Sequence, residues 1–148
     1  MAIVSSINNS SYLNTSLSTD LTADGVKVIL TANEAHTFGD AVILGASSEA
    51  YLADASAIAT SRVMAVCISS SVSADAKGQY LLMGIARDDS WNWSAPGVPI
   101  YLSLTGTIGA TLTETAPSAS SEAVVIVGIA LSATLMLVNP NSAIVEIA

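Results

Sequence analysis

Positive charge is what this chain has least of. Its 148 residues hold only Lys27, Arg62, Lys77 and Arg87 against twelve acidic residues, a formal net charge of −8, and no Lys or Arg follows Arg87. A phosphate backbone needs cationic neutralisation, so no nucleic acid is expected as a direct partner. No membrane partner is expected either, because an anionic surface needs basic residues too. The single cysteine, Cys67, cannot close an internal disulfide, and in the apolar run Val63 to Ile68 it reads as a buried, inert thiol. One histidine and one cysteine are too few for a closed zinc site. Long apolar runs are scarce as well. The strongest, Ala123 to Val138, falls short of the roughly 20 residues a bilayer span needs, is interrupted by Ser132-Ala133-Thr134, and has no basic anchor. Its β-branched Val124-Val125-Ile126-Val127 marks it instead as two consecutive buried strands. The N-terminus lacks the basic and long apolar regions of a signal peptide, so a soluble chain not exported by that route is expected.

What remains is a chain of short β-prone runs. No amphipathic helical pattern appears. Strands are expected at Val26 to Leu30, Ala41 to Leu44, Ala50 to Leu52, Val63 to Ile68, Gln79 to Ala86, Ile100 to Leu104, Ala110 to Thr113, Val124 to Leu131, Leu135 to Val138 and, as an edge, Ala143 to Ile147. Turn residues such as Asp24-Gly25, Gly45 to Ser48 and Asn139-Pro140-Asn141 punctuate them. Short strands at this spacing predict one all-β domain over 23–148, a compact β-barrel or β-sandwich of about eight or more strands. A chain of this length can bury about two thirds of its unfolded surface without disulfides or metal. Residues 1–22, rich in Ser, Thr and Asn, have too little apolar content to fold alone. They read either as a frayed terminus or as an extended arm that orders on another subunit. In the second case the candidate contacts are Ile3, Val4, Ile7, Tyr12, Leu13 and Leu17.

The domain reads as a pseudo-duplication, with units at about 38–86 and 96–138. Phe38 to Leu44 aligns with Pro96 to Leu102 at an offset of 58, and Tyr51 to Ala55 with Thr111 to Thr115 at 60. Val63 to Ile68 aligns with Ile126 to Leu131 at 63, and Tyr80 to Met83 with Leu135 to Val138 at 55. Between the units lies Asp88-Asp89-Ser90-Trp91-Asn92-Trp93, which holds both tryptophans. Two apart in an extended backbone, both rings point to one face. They read as packing where the units meet, or as an exposed aromatic platform.

Chemistry is sparse. His36 is expected to be an exposed loop histidine, and no G-x-S-x-G elbow supports a catalytic serine for it. Asp88-Asp89 lacks the spacing of a calcium loop and reads as a loop cap, with Arg87 as local ion partner. Thr105-Gly106-Thr107-Ile108-Gly109 reads as a hairpin turn, with no lysine for a phosphate loop. No catalytic residue, cofactor or metal is expected, and the chain is not expected to be an enzyme.

The segment Asp88 to Trp93, followed by Gly97, Ile100-Tyr101-Leu102-Ser103, Leu112 to Pro117, Val125 to Ala133 and Asn139-Pro140, resembles a β module of tailed-phage structural proteins. Gly39-Asp40-x-Val42 and Tyr51 to Ala55 fit the same module upstream, so the likeness covers 38–148. Asp88, Asp89, Trp91, Trp93 and Tyr101 are its marker and core positions. Such modules occur in capsid decoration (cement) proteins and in fibre or other virion appendages. The resemblance implies a virion structural protein made in the host cytoplasm that binds the outer capsid surface. Its partners would be the major capsid protein of the shell and itself, as a homo-oligomer with a trimer preferred. The short polar segment before the module suits decoration better than a fibre, which normally carries a repetitive shaft. The alternative is a receptor- or glycan-binding tip of a tail or head fibre.

Overall fold

The computed structural model describes residues 13–148, and their regular structure is strand apart from one 3-10 turn, Ile58–Thr60. In chain order the strands are β1 (Thr22–Thr31), β2 (His36–Thr37), β3 (Ala41–Leu44), β4 (Ala50–Leu52), β5 (Ala65–Cys67), β6 (Ser71–Val72) and β7 (Lys77–Arg87). They continue as β8 (Pro99–Leu102), β9 (Leu112–Thr113), β10 (Ala123–Val124), β11 (Ile126–Ala130), β12 (Leu135–Val138) and β13 (Val145–Glu146). Nine of them form one curled antiparallel sheet. The all-β expectation is met.

β7 organises the sheet. One of its edges pairs with β1 from Thr22↔Arg87 to Thr31↔Lys77. The other edge is shared: Tyr80 and Leu81 pair with β5, and Gly84 to Arg87 pair with β12. Beyond β5 lie β3 and β4; beyond β12 lie β11, β8 and β9. The two four-strand sets therefore have the same connectivity, β4-β3-β5-β7 and β9-β8-β11-β12. Register agrees too, since Ala41↔Val66 and Val42↔Ala65 correspond to Pro99↔Ile129 and Ile100↔Gly128 at the offsets 58 and 63. On the last pair the register sets Tyr80 beside Met136 and Leu81 beside Leu137 as equivalents. That lies one residue from the sequence alignment, because the runs Leu-Leu-Met and Leu-Met-Leu look alike to composition.

Alternation explains two buried clusters. In β5, Val66 faces the cluster shared by both units, with Leu81, Ile100, Leu102, Val127 and Met136, while Ala65 and Cys67 face a second cluster with Val42, Val72 and Tyr80. Full burial of each such Val or Leu contributes about 1.5–3 kcal/mol. The expected strand Val124 to Leu131 is divided: β10 pairs with β13, Val125 is buried in the shared cluster, and β11 then pairs with β8 and β12. β1 starts earlier than its apolar run, because Thr22 to Asp24 are held by pairing with Arg87 to Ile85.

Candidate functional site

Three features meet where the units join. The first is the aromatic segment, which runs irregularly beside the β11–β12 connection. Asp88 N donates to Thr134 O at 3.0 Å, Trp93 N to Ala133 O at 3.0 Å, and Gly97 N to Ala130 O at 2.7 Å. Trp91 and Trp93 are half-buried with Asn92 exposed between them, and their ring centroids lie 5.4 Å apart at 40°. Phe38, from the first unit, lies 6.1 Å from Trp91. Trp91 also closes over Gly39, where an added Cβ would sit 3.1 Å from Cζ2. Both tryptophans pack on the shared core. Of the remaining marker positions, Tyr101 lies half-buried in β8.

Phe38, Gly39, Trp91 and Trp93 line a cleft of about 170 Å³ together with Asp88, Ser90, Gly109, Thr111 and Leu112. Asp88 is only 7% exposed. Its Oδ1 accepts from Ser90 N at 2.8 Å and Ser90 Oγ at 2.5 Å, so the cap of this loop is made by Asp88, where the sequence points to Asp89 or Ser90 as the acceptor. Trp93 Nε1 is buried with no protein partner among the described residues.

The second feature is Asp40, a fully buried carboxylate that the sequence shows only as part of a Gly-Asp turn. Oδ2 accepts from Thr37 N at 2.9 Å, and Oδ1 accepts from Gly109 N at 2.8 Å and stands 3.5 Å from Thr111 Oγ1. Thr111 Oγ1 in turn accepts from Ala41 N at 2.8 Å. Asp40 thus ties the first unit to the second across about seventy residues of chain. Burial raises its pKa, opposed by the donated hydrogen bonds from Thr37, Gly109 and Thr111. No charge pairs with it in this network, which reads as structural.

The third feature is the root of the arm. Arg87 donates through Nη1 to Leu17 O at 2.8 Å and through Nε to Asp89 Oδ1 at 2.7 Å. Asp89 N donates to Asp20 Oδ1 at 2.7 Å, and Asn14 N to Asp24 Oδ2 at 2.6 Å. The described part of the arm is therefore bonded to the body beside the aromatic segment. Leu13 and Leu17 are half-buried; Ile3, Val4, Ile7 and Tyr12 lie outside the described residues.

His36 corrects an expectation. It is buried in β2, not exposed in a loop, because β2 pairs with β6 and turns the ring onto Tyr80. Burial lowers its pKa, with Glu34 opposing. Cys67 is buried, and desolvation pushes its thiol up to about 11. Among the described residues no group of three or more His, Cys, Asp or Glu is placed to hold a metal ion, and no helix is long and apolar enough to cross a membrane. Comparison with protein-family models, curated proteins and solved structures finds no match for the chain.

Proposed function

We propose that this chain is a virion structural protein that attaches to the outer surface of a phage capsid shell and stabilises it. The observation that carries the reading is the anchored root of the arm. Arg87 and Asp89 hold Leu17 and Asp20 against the joint, so the described end of the arm is fixed to the β body. The segment that holds Ile3, Val4, Ile7 and Tyr12 among small polar residues has too little apolar content to fold alone, and burial of these side chains on a shell subunit would supply affinity. Repeated over a lattice of shell subunits, such modest contacts add up through avidity. The test is co-sedimentation with shells of the major capsid protein assembled without this chain. Stoichiometric binding by the full chain, lost when residues 1–12 are removed with thermal unfolding unchanged, is the expected result. No binding by the full chain overturns the reading, and full binding by the shortened chain overturns the role of the arm.

The cleft favours a second reading, a glycan-binding tip. It sets two half-buried indoles beside the Asp88 carboxylate and the Ser90 hydroxyl, an apolar face next to polar groups. Binding on a glycan array that disappears in Trp91→Ala supports it. Tryptophan fluorescence that resists acrylamide quenching and does not respond to any glycan overturns it.

A further inference from the structure

The sheet has one long open edge, and it is β1. β5 and β12 occupy the far edge of β7, so β1 closes the sheet on the near side, and no strand among the described residues pairs with its outer edge. It is ten residues long, with Val26 and Ile29 standing 55% and 64% exposed and Met83 exposed directly opposite Val26. Long apolar edges of this kind are templates for another strand, and proteins that stay monomeric usually blunt them with charge, proline or cover. Here only Asp24 and Lys27 carry charge.

We propose that a second copy of this chain pairs antiparallel with the outer edge of β1 about a two-fold axis, setting Asp24 of each copy opposite Lys27 of the other. Three observations choose this occupant and register. First, β1 changes the parity of its buried side chains midway. Ala23 packs on the core in its first half, Val28 and Leu30 in its second, so Asp24 and Val26 point outward before the change and Lys27 and Ile29 after it. Setting Asp24 opposite Lys27 matches the faces at three pairs: outward Thr22 meets Ile29, outward Asp24 meets Lys27, and inward Ala23 meets inward Val28, while at the centre Val26 meets Gly25, which has no side chain to misplace. A register shifted by one residue either way sets inward Ala23 beside outward Ile29 or outward Lys27.

Second, each copy carries a net charge of −8, so approach is opposed unless a cation meets a carboxylate locally. Lys27 is one of four cations in the chain, and this register satisfies it twice per dimer. Asp24 accepts from Asn14 N through Oδ2, and no described residue donates to its Oδ1, which is the atom available to the ammonium. Third, Val26 and Ile29 from both copies come to flank the ion pairs, where their burial supplies the apolar gain that exposed pairs alone lack.

Sedimentation equilibrium on the full chain tests this, with circular dichroism to confirm folding of each variant. The wild type is expected to be a dimer. Lys27→Glu and Asp24→Lys alone each set like charges opposite one another and are expected to weaken association roughly tenfold or more. Mixed in equal amounts, the two variants set opposite charges at both positions and regain the dimer. A wild-type monomer or trimer overturns the proposal, as do single variants that dimerise unchanged or a mixture that stays monomeric.

Discussion

His36 Nδ1 lies 2.8 Å from the hydroxyl of Tyr80, both side chains buried, with 44 residues of chain between them. If His36 carries its proton on Nε2, Tyr80 donates to Nδ1 and the Nε2–H has no partner among the described residues. With the proton on Nδ1, both Nε2 and the phenolic hydrogen go unmatched. The first arrangement costs less. Tyr80→Phe therefore strands a buried nitrogen and is expected to destabilise by about 1–3 kcal/mol, read from urea unfolding.

The same ring sets a pH dependence. Burial lowers the pKa of His36 in the folded chain below the ordinary 6.5. The unfolded chain then binds the proton first as pH falls, so this contribution to stability is fully present above about 6.5 and is lost as pH drops through the folded value. The urea midpoint of the wild type should fall between pH 7.5 and pH 5 relative to that of His36→Gln. Parallel midpoint curves would contradict this.

Asp40→Ala removes the acceptor for two backbone amides, Thr37 N and Gly109 N. A loss of about 3 kcal/mol is expected, with the transition still cooperative. The pH sign at Asp40 is opposite to that at His36. Its folded pKa is raised, so its contribution is present in acid and diminishes as pH rises through the raised value. Wild-type stability should show this slope on the acid side, and Asp40→Asn should lack it.

Gly25 and Gly84 face each other across β1 and β7. A Cβ on Gly84 would stand 2.1 Å from Asp24 O, so Gly84→Ala must push the strands apart. Gly97 has open space around its Cβ position but a φ of +87°, leaving only the left-handed strain of about 1–2 kcal/mol. Thermal melts should show Gly84→Ala losing clearly more than Gly97→Ala; equal losses would rule out the close approach.

Cys67 is expected to resist a thiol reagent at pH 8 in the folded chain, since its thiol ionises only near 11 and is buried. Full reaction in urea and almost none without it is the expected outcome. Rapid labelling of the native chain would place the thiol at the surface.

The strands that composition made legible are those with β-branched or leucine-rich runs, such as Ala41 to Leu44 and Leu135 to Val138, whose side chains fill the two clusters. The two-residue ladder of His36-Thr37 with Ser71-Val72 has no period to detect. His36 looked exposed because Glu34 and Asp40 flank it, while the residue that buries it, Tyr80, lies in another strand. Trp91 and Trp93 could be set on one face by spacing alone, but nothing local names Phe38 and Gly39 as the surface they cover. Asp40 was hidden for the same reason, its donors at Gly109 and Thr111 being supplied by the other unit.

The sharing of β7 has a consequence for synthesis. Its N-terminal half finds β5 and β1 already made, but the edge at Gly84 to Arg87 waits for β12, the last strand of the main sheet to leave the ribosome. Until then the nascent chain carries an unsatisfied apolar ribbon, the kind of edge that recruits chaperones or neighbouring nascent chains. Folding of the first unit can begin during translation. Closure of the sheet waits until β12 has emerged.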